Sequence, residues 1–209
     1  TSSSSQKDTQ SRFAIFFTWP NHIFSDPLAA IVEKEIRFLS RVSRFRTVFM
    51  MGFTFGLLIW LPMVNRNGTG WISENYLVMI SGYALLLLSG VCFYNCFGFD
   101  RSAAQFYFVA PVKFSTVLLG KNITTVFYVV LEIILVVVAC ILFQMHVSLQ
   151  KVIEAVCVCI VMTLGLLALG NMTSVSSPRA VNPGDSWKNN SSKAAWVTLL
   201  FYPMISIPV

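Results

Sequence analysis

Five long apolar runs, separated by short segments that hold most of the charge, constrain this sequence more than any other feature. They cover residues 47–64, 76–97, 123–145, 152–172 and 194–209. A helix rises about 1.5 Å per residue, so roughly 20 apolar residues cross a hydrocarbon layer about 30 Å thick with every backbone hydrogen bond satisfied internally. The first four runs reach or nearly reach that length. The fifth is shorter and contains Pro203 and Pro208, as a span cut short or kinked would. The chain does not begin with Met and stops inside an apolar run, the pattern expected of a piece of a longer protein.

The expected fold is therefore all-α, a polytopic transmembrane helical bundle. Of 209 residues, 56% are hydrophobic and 11% charged, about half the charge of an ordinary soluble domain. That balance excludes a soluble globular enzyme, a disordered tail, a collagen-like fibre and a coiled coil. The net charge of +6 does not make a nucleic-acid surface, because the cations fall between apolar runs and never form a basic stripe. Cys92, Cys96, Cys140, Cys157 and Cys159 all lie in or at the ends of apolar runs, where a thiol behaves as a small hydrophobe. No disulfide framework is implied.

Lys and Arg in short flanking loops resist translocation and so set orientation. With a cytoplasmic N-terminus, alternating loops put Lys7, Arg12, Lys34, Arg37, Arg41, Arg44, Arg46, Arg101, Lys113, Lys121, Arg179, Lys188 and Lys193 inside. Only Arg66 and Lys151 remain outside. The expected location is the cell membrane, with multiple passes and Trp60 and Trp196 as interfacial anchors.

Before the first run, SDPLAAIVEKEIRFLSRVSRFR carries helix-start chemistry, with Asp26 as a cap and Pro27 at the first helical position. Leu28, Ile31, Val32, Leu39 and Val42 recur along one side, Glu33, Lys34, Arg37, Arg41 and Arg44 line the other, and Glu35 interrupts the apolar stripe. The pattern predicts an amphipathic helix in the cytoplasmic interface, its cations facing anionic lipid; the alternative is a juxtamembrane helix docked on protein. The outer loops, 65–75 and 146–151, leave no room for an external domain, and Asn67-Gly68-Thr69 fits a glycosylation sequon. In the inner loop 98–122, Asp100 can cap a short helix over 101–110 that Pro111 ends. A helix held between two spans can act as a lever, or can be a plain connection.

FYNCFGFDRSAAQFYFVAPVKFSTVLLGKN, followed by an apolar span and then LGNMTSVSSPRAVNPGD, resembles the permease subunit of type-2 ATP-binding-cassette exporters. Upstream, DPLAAIVEKEIRFLSR resembles that family's interfacial elbow helix. The resemblance covers residues 26–209 and leaves 1–25 unmatched, a segment of uncertain relevance. It implies a transmembrane permease domain with five of the family's six spans. It further implies that the cytoplasmic helix beginning at Asp100, with Arg101, Ser102 and Gln105, meets a separate ATPase subunit, and that a second permease subunit completes a dimer.

Among candidate chemical groups, Glu132 stands near the middle of the third run, where a charge costs on the order of 3 kcal/mol. It should face a cavity or partner or be protonated; the alternative is a protonated carboxyl bonded to a neighbouring helix. Glu154 lies close to the outer interface and needs no special role. The pairs Cys92/Cys96 and Cys157/Cys159 lack the third and fourth ligands a zinc site needs. Gly52-Phe53-Thr54-Phe55-Gly56 is a GxxxG pattern that lets helices approach closely. Gly120-Lys121-Asn122, with Ser115 at the first-glycine position, departs from a phosphate-cradling loop. No hydrolase constellation is visible, so no enzymatic activity, cofactor, metal site or nucleic-acid partner is expected of this chain.

The leading expectation is the permease subunit of an ATP-driven exporter, moving substrate by alternating access. An ion-coupled secondary transporter using Glu132 is the runner-up, and a non-transporting membrane scaffold is third.

Overall fold

The computed structural model describes residues 17–66, 71–100, 105–109 and 111–176. Among them every element is helical: α1 (Pro20–Ile23), α2 (Leu28–Arg41), α3 (Ser43–Arg66), α4 (Trp71–Cys92), α5 (Phe106–Val109), α6 (Phe114–Leu142) and α7 (Leu149–Ser176). Three stretches are long and apolar enough to cross a membrane: Glu74–Cys92, Phe114–Leu142 and Leu149–Ser176. The run at 47–64 lies within α3, which qualifies only together with α2, from which it is bent by 78°. The run at 194–209, Trp196, the sequon at Asn67, and residues 1–16 lie outside the described residues.

Burial decides which helix is central. In α4, 61% of the apolar window is buried, against 33% in α6 and 28% in α7. Accordingly α4 packs against α3, α6 and α7. The outward faces are apolar as well: Val126, Val130, Ile134 and Val138 recur every fourth residue on α6, and Ile153, Ile160, Val161 and Leu164 stand exposed on α7. Water would make such continuous apolar stripes unfavourable, whereas lipid tails solvate them at no cost.

Inside, the apolar side chains form two clusters. One joins Val32 and Ile36 of α2, Phe45 and Phe49 of α3, Leu85 and Leu88 of α4, Tyr128 and Val129 of α6, and Met162 and Leu166 of α7. The other, at the opposite end, joins Leu57, Tyr76, Leu77, Ile80, Val136, Cys140 and Ala155. Helix α3 reaches α4 through its two glycines. A methyl group on Gly52 would strike the Glu132 carboxyl and sit 3.3 Å from the Ala84 Cα, and one on Gly56 would sit 3.0 Å from Ile80. The GxxxG pattern thus seats α3 on α4.

The N-terminus of α2 differs from expectation. Neither Asp26 nor Pro27 supplies a side-chain cap; the first donors, Ala29 and Ile31 N–H, go to the Ser25 and Pro27 carbonyls. At its other end Val42 turns extended (φ −70°, ψ 117°) and its N–H is taken by the Phe38 and Leu39 carbonyls, so the chain leaves α2 and restarts as α3. Val42 itself is buried in the first cluster, which pins the bend. The apolar side of α2 packs on α6, with Ile31 and Leu28 against Gly120. Residues 17–25 pack here too, Trp19 lying 5.5 Å from the Phe127 ring and Asn21 donating to Glu33 at 2.9 Å.

At the far end, α6 closes in a two-bond cap: Met145 N–H reaches the Cys140 carbonyl and Gln144 N–H the Ile141 carbonyl. This Schellman geometry needs a left-handed residue, here Gln144 at φ 56°. Tyr76, fully buried, donates to the His146 carbonyl at 2.9 Å and ties α4 to that turn.

Candidate functional site

The segment after α4, residues 93–100, is a series of tight turns folded under the bundle. Its backbone is held by α7: Ser174 Oγ accepts from Phe97 N–H at 3.3 Å and lies 3.1 Å from the Cys96 thiol. At Gly170 a methyl group would sit 2.6 Å from the Phe93 carbonyl oxygen, so only glycine allows this contact.

These turns deliver Asp100 to a buried cluster of charges. Lys121, on α6 and almost fully buried, lies 2.7 Å from Asp100 Oδ2 and 3.0 Å from Glu35 Oε1 of α2. The same ammonium donates to the Cys96 carbonyl at 3.0 Å and stands 5.1 Å above the Phe97 ring. Lys34, half exposed, meets Glu35 at 3.1 Å and Asp100 at 3.4 Å, and donates to the Tyr107 hydroxyl of α5 at 2.6 Å. Two cations and two carboxylates cancel, which removes the cost of leaving any one of them buried alone.

Burial disfavours the charge on Lys34, but Glu35, the Tyr107 hydroxyl and Asp100 together outweigh it and hold the ammonium above the usual lysine range. Burial likewise pushes the Tyr107 phenol up, against the pull of Lys121 and Lys34, so it stays neutral and free to donate. A cavity of about 20 Å³ borders the cluster, lined by Glu35, Leu39, Cys92, Cys96, Lys121 and Thr125 among others. That volume suffices for one water molecule.

The cluster fastens α2, the 93–100 turns, α5 and α6 at one point. A displacement of α5 or of Asp100 therefore pulls on α6 through Lys121 and on α2 through Lys34 and Glu35. Of the residues expected to face an ATPase, Asp100 is drawn inward to these lysines. Gln105 is exposed beside α5, while Arg101 and Ser102 lie outside the described residues. The expected helix over 101–110 is described only as the single turn Phe106–Val109.

Glu132 occupies a separate place on α6, about 16 Å farther along the axis. It is 2% exposed and sits in a niche lined by Ser81, Ala84, Leu85, Val129, Ile133, Val136 and Cys159, where the two apolar clusters meet. Among the described residues Glu132 Oε1 and Ser81 Oγ have no hydrogen-bond partner.

Sequence reasoning missed Lys121, Lys34 and Tyr107 and read Glu35 only as a flaw in an apolar stripe. That flaw was the available signal, because a carboxylate on a buried face requires a cation across from it. All five cysteines are free, and among the described residues no group of three His, Cys, Asp or Glu could hold a metal ion.

The fold and these two sites define a class, an all-helical protein whose helices are apolar enough to span a membrane, with a charge cluster at one end of the bundle. No protein family, curated protein sequence or solved structure matches the chain.

Proposed function

We propose that this chain is the membrane-spanning permease subunit of an ATP-driven exporter. It pairs with a second permease subunit and is driven by a separate ATPase docked on the cytoplasmic segment that begins at Asp100. Its N-terminus faces the cytoplasm, α2 lies along that interface, and the cation-rich end of the bundle is the inner end. The type-2 exporter resemblance of residues 26–209 supports this reading, and one observation carries it: Asp100 is tied to α6 by Lys121 and to α2 by Lys34. A push on this segment has a rigid route into the bundle, as rigid-body switching between inward and outward access requires.

The test uses the complete transporter in proteoliposomes. Asp100→Asn, together with Arg101→Ala, should lower transport-coupled ATP turnover while the ATPase still hydrolyses ATP on its own. Unchanged coupling, or a complete protein that purifies with no ATPase, would contradict the proposal.

A second reading draws on Glu132, whose buried carboxyl oxygen has no partner. In that reading the chain is an ion-coupled secondary transporter and Glu132 carries the proton. Transport that persists without ATP, collapses with the proton gradient and is lost in Glu132→Gln would favour it over the exporter.

A further inference from the structure

We infer that the bend between α2 and α3 binds anionic phospholipid head groups through Arg41, Arg44 and Arg46. The inference rests on the chain spanning a membrane, not on its being an exporter. Charge pairing sets these three apart from the other cations of α2 and of the buried cluster. Lys34 and Lys121 are neutralised by Glu35 and Asp100, and Arg37 lies 2.5 Å from Glu33 one turn away. Among the described residues Arg41, Arg44 and Arg46 have no carboxylate at ion-pair distance. Arg41 and Arg46 are exposed and Arg44 is half-buried.

Their position identifies the partner. Arg46 stands one turn before the exposed Met50 on α3, and Phe55, Leu58 and Ile59 are exposed farther along the same helix. On α2, Lys34, Arg37 and Arg41 follow one another at helical spacing, and Arg41, Arg44 and Arg46 flank the 78° bend between α2 and α3. Guanidinium groups next to an apolar stripe match a molecule with a phosphate at one end and acyl chains at the other. Arginine suits the phosphate because its planar fork bonds two oxygens and is weakly hydrated. An acidic protein would satisfy the charges but not the adjoining apolar side chains.

Native mass spectrometry of the full chain, released from bilayers of equal phosphatidylcholine and phosphatidylglycerol, reads the retained lipids directly. Wild type should retain phosphatidylglycerol preferentially, and each Arg→Gln change at 41, 44 or 46 should cut that preference by about fivefold at low ionic strength. Lys151→Gln, at the opposite end, should leave it unchanged. Rising salt should erode the wild-type preference, a measurement that needs no variant to fold. No preference in wild type, an equal preference in the triple Gln variant, or an acidic protein retained in place of lipid would overturn the inference. Extraction of the wild-type chain by alkaline carbonate is the separate outcome that would defeat the membrane reading itself.

Discussion

Lys121 is the residue whose removal should matter most. Glu35 and Asp100 would be left as buried carboxylates with only the half-exposed Lys34 nearby, and breaking a buried pair costs about 3–5 kcal/mol. Lys121→Met should therefore lower the unfolding temperature in detergent far more than Lys34→Gln, because Lys34 is 51% exposed and such pairs contribute about 1 kcal/mol or less. Equal shifts would contradict the assignment of Lys121 as the hub. The Lys34 ammonium is held above its ordinary value of 10.5, so its contribution is fully present below that pH and is lost only as pH climbs through the raised value. Wild type and Lys34→Gln should thus differ by a constant amount between about pH 6 and 9. At the α6 cap, Gln144 holds φ 56°, a conformation that costs a side-chain-bearing residue about 1 kcal/mol and glycine almost nothing. Gln144→Gly should hold or raise the unfolding temperature, and Gln144→Val should lower it.

At the scale of elements, the α3–α4 crossing gives a contrast among glycines. Gly52→Val would drive a side chain into Ala84 and Glu132, and Gly56→Val into Ile80; overpacking of this kind costs about 1–3 kcal/mol per site. Gly90→Ala and Gly165→Ala meet nothing within 4 Å and should be neutral or stabilising by up to about 1 kcal/mol. Thermal unfolding of the four variants in one detergent checks the contrast. These helices were largely legible in the sequence, since long apolar runs leave few alternatives. Their ends were less so. Helix α6 begins at Phe114 rather than at the start of its apolar run, because Glu35 and Asp100 neutralise Lys121 and let the helix continue through a charge that hydropathy reads as a stop. On helix α2 Glu35 was expected to interrupt the apolar stripe; it lies buried on that face with Lys121 across from it. Which charges meet across 86 or 66 positions of chain is a property of the packed bundle, and no periodicity encodes it. Glu132 was legible because a carboxyl in an apolar run stands out with no knowledge of its partners.

For the whole molecule, charge and apolar surface are organised along one axis. Arg41, Arg44, Arg46, Lys113 and the buried cluster gather where α3 begins, α4 ends and α6 begins, while Lys151 stands where α7 begins at the other end. Between the ends, α6 and α7 turn apolar side chains outward. Helices with apolar outward faces suit a bilayer, and in the orientation proposed above the cation-rich end lies in the cytoplasm. Single cysteines at Arg46, Lys113 and Lys151, in a chain with its five native cysteines replaced, can be probed with a membrane-impermeant maleimide before and after cell permeabilisation. The account predicts that Lys151→Cys reacts in intact cells and that Arg46→Cys and Lys113→Cys react only after permeabilisation. Labelling that puts positions 46 and 113 on opposite surfaces would contradict it.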